Sequence, residues 1–233
     1  MVLIHGAANS AVAWTYWQSE LATRGWASHA VDLRGHGKSV PFDLSETSMS
    51  DYVSDVASVA SQLREPPVLV GWSMGGLVAM MAASAEIGVA CVALAPSLPV
   101  REINPIIRLR KGVFGPEEYG VVPTSPEERS SMPDLDDEER AVALASCGNE
   151  SRYARDERKR GIVIESLPCP LLTVRGSEDT QWPKEKYKNL WLDSDQVEIQ
   201  GASHWGLVLN RRAVAQTVPK IIEWLSSKSL AEV

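Results

Sequence analysis

Cysteine is scarce in this chain: Cys91, Cys147 and Cys169 are the only three in 233 residues. They are widely spaced, form no C-x-x-C pair, and read as reduced thiols, which excludes a zinc site or dithiol redox couple built on them. Long apolar runs are missing too, and no segment approaches the roughly 20 apolar residues that a membrane span needs. The opening Met1-Val2-Leu3-Ile4-His5-Gly6 has no basic stretch ahead of a long apolar one. The expectation is a cytoplasmic protein, neither secreted nor membrane-inserted. Positive charge is in deficit, with 23 Lys and Arg against 30 Asp and Glu and a net charge of -7. That field disfavours nucleic acid and anionic membranes and points to a small, uncharged molecule as the partner. No repeat at a solenoid period is found.

What the chain does have is short apolar runs alternating with helical stretches. Val2 to Ile4, Ser28 to Val31, Val68 to Val70, Val89 to Ala95, Leu171 to Val174 and Val197 to Ile199 read as strands. Trp14, Trp17 and Leu21 recur at helical spacing, as do Met49, Tyr52, Val53, Val56, Val59, Ala60 and Leu63. Val214 to Leu225 reads as a closing helix that Pro219 bends or restarts. Strands alternating with amphipathic helices predict an α/β fold, a mostly parallel central sheet with helices on both faces.

From about Ser97 to Leu167 this pattern breaks down. Pro99, Pro105, Pro116, Pro123, Pro126 and Pro133 punctuate the stretch. Asp134 to Ser146 inside it reads as a helix whose first turn is acidic, which suits the helix dipole. The charge run Arg152 to Arg160 is expected to be a solvated helix face, because Asp156 and Glu157 interrupt its positive residues. The expected organisation is therefore a core of residues 1–96 and 168–233 with a small cap, 97–167, inserted between two core strands.

The chemistry concentrates at Gly71-Trp72-Ser73-Met74-Gly75, which follows an apolar run and opens a helix rich in small residues. A serine at such a strand-to-helix turn, flanked two places away by glycines, has the form of a nucleophile elbow. The turn strains the serine backbone, and Cβ atoms at positions 71 and 75 would collide as strand and helix approach. A serine hydroxyl is a weak nucleophile until a base takes its proton. Of the four histidines, His5 and His36 sit in glycine-flanked turns and His29 within a strand, with His5 bonding neighbouring backbone. His204, after the final strand, is the expected base. Asp179 follows the preceding strand and is the expected carboxylate that orients the imidazole, with Glu178 as its neighbour and competitor. Backbone N–H groups of Met74 and Ala7 are the expected oxyanion donors. Trp14, Trp72 and Trp205, with Met74, are candidates to line an apolar pocket under the cap.

His5-Gly6, the stretch Asp32 to Ser39, the Ser73 elbow and Asp179 followed by His204 agree in order and context. Together they resemble the α/β-hydrolase fold superfamily over nearly everything except the cap. The resemblance implies that Asp32 and His36 stabilise a structural turn rather than catalyse. It also implies that the chain opens at the family's third strand, without the usual leading hairpin. His5-Gly6-Ala7-Ala8 with Trp14 nearby is similar to the methylesterase and hydroxynitrile-lyase branch. The expected activity is serine hydrolysis of a small carboxylic ester through an acyl-enzyme, by a monomer or homodimer and with no cofactor or metal. Carbon–carbon hydrolysis, perhydrolysis and cyanohydrin cleavage use the same triad and stay open, as does a low-turnover ligand receptor. An elbow serine excludes the dehalogenase chemistry that needs aspartate there.

Overall fold

The structure, a computed structural model, describes residues 1–121, 130–188 and 190–230. Pro123 and Pro126, counted above among the prolines of the cap, lie outside the described residues. Along the first part of the chain β1 (Val2–Ile4), α1 (Thr15–Thr23), β2 (His29–Val31), α2 (Met49–Ala60), β3 (Val68–Trp72), α3 (Met74–Ser84) and β4 (Ala90–Leu94) alternate. An irregular stretch follows with β5 (Val113–Phe114), α4 (Asp137–Ser146), β6 (Glu150–Ser151) and α5 (Arg152–Arg160). The chain closes with β7 (Leu171–Gly176), α6 (Lys184–Tyr187), β8 (Asp195–Ile199), α7 (Gly206–Leu209) and α8 (Arg211–Ser227).

The main sheet has six strands in the order β2-β1-β3-β4-β7-β8, and every pairing in it is parallel. Its central strands are apolar on both sides because helices cover both faces. Alternate residues divide the core accordingly. Leu3, Val70, Val92 and Val174 pack with Trp17, Leu21, Val218 and Ile221 of α1 and α8. Ile4, Leu69, Cys91 and Leu171 pack on the other face with Tyr52, Val56, Leu77 and Val78 of α2 and α3. α8 is one helix of 17 residues that holds Pro219 in its interior, so the expected restart does not occur.

The chain order places four loops together. In a parallel sheet all strand C-termini lie at one edge, so the loops after β1, β3, β7 and β8 emerge side by side. The stretch between β4 and β7 meets this edge from above. Its β5–β6 pair is antiparallel, and α4 begins with a capping box of Asp136 and Glu139. The helical reading of this acidic stretch thus holds for its later part. The reading of Arg152 to Arg160 needs correction. It is a helix, but Ala154 and Asp156 are buried, and Arg152 and Arg155 turn inward onto Glu118 and the Phe114 ring. Three-residue spacing puts Arg152, Arg155 and Arg158 on one helix face. That face packs, partly buried, against Glu118, Phe114 and Tyr119.

Candidate active site

Ser73 caps the N-terminus of α3 with φ 56° and ψ -116°. Such a backbone costs an L-residue about 1–3 kcal/mol and persists only where its surroundings over-determine it. Here three bonds pin it: Ser73 N–H donates to the Leu94 carbonyl at 2.9 Å, while the Ser73 carbonyl accepts from Gly76 N–H at 3.1 Å and Ser97 N–H at 2.9 Å. The flanking glycines are sterically required. A Cβ on Gly71 would lie 2.0 Å from the Gly75 carbonyl oxygen, and one on Gly75 would lie 2.2 Å from that of Ile4. The second clash is therefore with the end of β1 rather than with the elbow's own strand.

Asp179 and His204 meet as the strand order anticipates. His204 Nδ1 lies 2.8 Å from Asp179 Oδ2, and both residues are buried. Asp179 Oδ1 accepts two further hydrogen bonds, from Gln181 N–H at 2.8 Å and Trp182 N–H at 2.9 Å. Burial alone would raise the Asp179 pKa. The bond and charge of His204, together with these two N–H donors, hold it below the usual carboxylate range. Glu178 is exposed and takes a hydrogen bond from Ser177 instead, so the geometry separates the two competing carboxylates. Gly176 lets the acid loop close on the histidine loop, since a Cβ there would sit 2.0 Å from the Ala202 carbonyl oxygen. The histidine loop is fixed from the cap side by Asp134, whose Oδ2 accepts from Ser203 N–H at 3.0 Å.

Ser73 and His204 line one cavity of about 50 Å³, together with Ala7, Trp72, Tyr119 and Arg158. At roughly 10–15 Å³ for each water on this scale, that is room for a few waters or a small organic group. Trp72 and Trp205 form a wall, their rings 4.9 Å apart, and Trp72 Nε1–H donates to the His204 carbonyl at 3.0 Å. Trp14 is a correction. It is wholly buried in the core, edge-on to Trp17 at 5.3 Å, and does not line the cavity. Its place in sequence, close to the His5-Gly6 loop, suggested proximity, but the turn at Ala11–Trp14 directs the indole under the sheet.

The loop after β1 is held from below. His5 Nδ1 is 2.8 Å from the Gly6 carbonyl, and Leu33 N–H donates to His5 Nε2 at 3.2 Å. These partners require the neutral tautomer with its proton on Nδ1. Burial and the neighbouring His36 push the His5 pKa down to about 4, consistent with a neutral ring. Anchoring the Gly6 carbonyl also orients the next N–H, that of Ala7, because the two point in opposite directions across a trans peptide. Met74 is the first residue of α3, and its N–H is among those a helix cannot satisfy internally. Its side chain is buried on the α2 side of the sheet rather than in the cavity.

Two residues of the stretch between β4 and β7 escape a reading of the sequence. Glu150, in β6, is wholly buried and accepts from Ala8 N–H at 3.0 Å, Tyr52 Oη at 2.5 Å and Ser151 N–H at 2.7 Å. Burial would raise its pKa, yet His36, Arg158 and Tyr52 bring it down to about 2. Nothing in its local sequence marks it, because the partners lie 98 and 142 positions away. Arg158 lines the cavity, and its only signal was the three-residue spacing of arginines within the charge run. Among the described residues no cluster of three or more His, Cys, Asp or Glu side chains is set to hold a metal, and no helix is long and apolar enough to cross a membrane.

An elbow serine and a His–Asp pair at the C-terminal edge of a parallel sheet define a class, and comparison agrees with it. The Alpha/beta hydrolase family matches residues 1–217, and the chain belongs to that family. It is 32% identical over 181 residues to the pimeloyl-[acyl-carrier protein] methyl ester esterase of Serratia marcescens, covering 75% of this chain and 62% of that enzyme. It is 35% identical over 92 residues to human protein phosphatase methylesterase 1, covering 37% of this chain and 24% of the relative. The chain thus matches less than two thirds of either relative's length. Among solved structures, polyneuridine aldehyde esterase superposes with a TM-score of 0.72 at 20% identity, over 94% of this chain and 97% of its own. A methylesterase from Arabidopsis gives 0.72 at 19% identity, over 96% and 98%.

Proposed function

We propose that this protein is a serine hydrolase of small carboxylic esters. The observation that carries the reading is the elbow Ser73 opening into the same cavity as His204, whose far nitrogen is held by Asp179. Ser73 Oγ attacks the ester carbonyl carbon as His204 Nε2 takes its proton, and the resulting oxyanion rests on the Ala7 and Met74 N–H groups. The carbon–oxygen bond to the alcohol then breaks, and His204 returns the proton to the leaving oxygen. Water adds to the acyl-enzyme with His204 again as base, releasing the acid and restoring Ser73. Asp179 keeps the imidazole in the required tautomer and stabilises its cation.

The narrow cavity suits a small group on the reacting ester, and the Serratia marcescens relative is a methyl ester esterase. In this reading residues 97–167 act as a cap over a core formed by 1–96 and 168–233, with Trp72 and Trp205 as the apolar wall. The test is hydrolysis of methyl and short p-nitrophenyl esters by the wild type and Ser73→Ala. Loss of turnover in the variant is expected; equal rates would remove Ser73 from the chemistry.

A further inference from the structure

Of the described residues lining the cavity beside Ser73, Arg158 is the one with a permanent charge. Three arginines that surround it have carboxylate partners. Arg152 and Arg155 share Glu118, and Arg110 grips Asp156 through Nε and Nη2, each at 2.7 Å. Arg158 has none of these. Its Nη2 donates to Tyr119 Oη at 2.9 Å, while its Nε is buried without a hydrogen-bond partner. The nearby carboxylate, Glu150, is already occupied by Ala8, Tyr52 and Ser151. Burial opposes the Arg158 charge, but the surrounding Tyr119 and Glu150 hold its pKa above the ordinary value, so it stays a cation.

A guanidinium on a cavity wall without a carboxylate partner leaves a positive charge uncompensated there, and a ligand carboxylate entering the cavity supplies the missing charge. Planar guanidinium is also the side chain best matched to a carboxylate. We infer that Arg158, with Tyr119 beside it, binds a carboxylate on the substrate, so that the favoured ester is the half-ester of a short dicarboxylic acid. The inference rests on the ester-hydrolase reading for the reacting end of that molecule. It also revises the uncharged ligand expected from a net charge of -7. Bulk charge describes the surface as a whole, whereas Arg158 puts a cationic group on the lining of this cavity.

The decisive quantity is a ratio measured within one protein: kcat/KM for a monomethyl ester of succinate, glutarate or adipate over that for the neutral methyl ester of equal chain length. The ratio does not depend on how much of a preparation is folded. The wild type should favour one half-ester by about 10- to 100-fold, the range of a charge-assisted hydrogen bond. Arg158→Gln should bring the ratio to about 1, and Arg158→Lys should leave part of the preference. A ratio near 1 in the wild type, or one unchanged in Arg158→Gln, overturns the inference while leaving ester hydrolysis standing. Calorimetry of the free dicarboxylates with Ser73→Ala separates the two readings. Binding lost in the Ser73→Ala, Arg158→Gln double variant supports the carboxylate site even if no ester is cleaved, and binding that persists in the double variant counts against it.

Discussion

Among the described residues two imidazole–carboxylate pairs stand in contrasting surroundings. His204 and Asp179 meet at 2.8 Å on the wall of a cavity, where the imidazole keeps one nitrogen free for chemistry. His36 and Glu150 stand 3.7 Å apart in a sealed interior, with His5 and Tyr52 packed against the His36 ring. Identical functional groups thus take different roles from their surroundings. Asp179 bonds His204 and two backbone N–H groups, whereas Glu150 bonds Ala8, Tyr52 and Ser151. In the proposed mechanism the first pair serves Ser73 through its proton, and the second holds the neighbour of the loop residue that would receive the negative charge. The second pair also ties β6 of the irregular stretch to the first part of the chain, where His36 and Tyr52 lie.

Breaking the first pair should have the largest effect. Replacing Ser73 or His204 by alanine should lower kcat for ester hydrolysis by about 10⁶-fold, measured in steady state on a p-nitrophenyl ester, while His36→Asn should stay within about tenfold of wild type. Asp179→Asn should cost about 10⁴-fold by admitting the wrong imidazole tautomer. A loss similar to that of His36→Asn would erase the distinction between the pairs.

Glu150→Gln tests the second pair. Its kcat should fall about 10²-fold because the Ala7–Ala8 loop loses its anchor. Denaturant unfolding should also report a loss of about 3 kcal/mol, the scale of a broken buried ionic contact. A separate effect comes from pH. His5 is held at about 4 against an ordinary 6.5, so between those values the unfolded chain takes up a proton that the folded one refuses. Stability should be full above pH 6.5 and decline as pH falls towards 4, with a slope approaching about 1.4 kcal/mol per unit. Glu150 extends the decline from 4.5 down to about 2. Denaturation curves of wild type and His5→Asn check this, and the variant should flatten the upper part of the limb.

The same contrast explains what the sequence revealed. The central strands of the sheet are visible because each is a short apolar run bounded by turn residues, the edge strands β2 and β8 show only a few apolar residues, and Ser73 is visible because its turn demands glycine on both sides. His204 and Asp179 follow from their places after the last two strands. The cap resists such reading because its strands are two residues long and its contacts are distant, as between Glu150 and Tyr52. Arg158 was hidden differently: the interrupting acids of its run suggested water on that face, while the spacing of three that turns it inward carried the information. Trp14 lies near the active-site loop in sequence and under the sheet in space.

The central claim is that Ser73 is a nucleophile activated by His204. Intact-mass spectrometry and peptide mapping after exposure to a fluorophosphonate test it without any choice of substrate. One adduct for each chain, located on Ser73 and formed far more slowly in His204→Ala, is the expected result. An unlabelled Ser73 in the folded wild type, or labelling that proceeds equally fast without the imidazole, would contradict it.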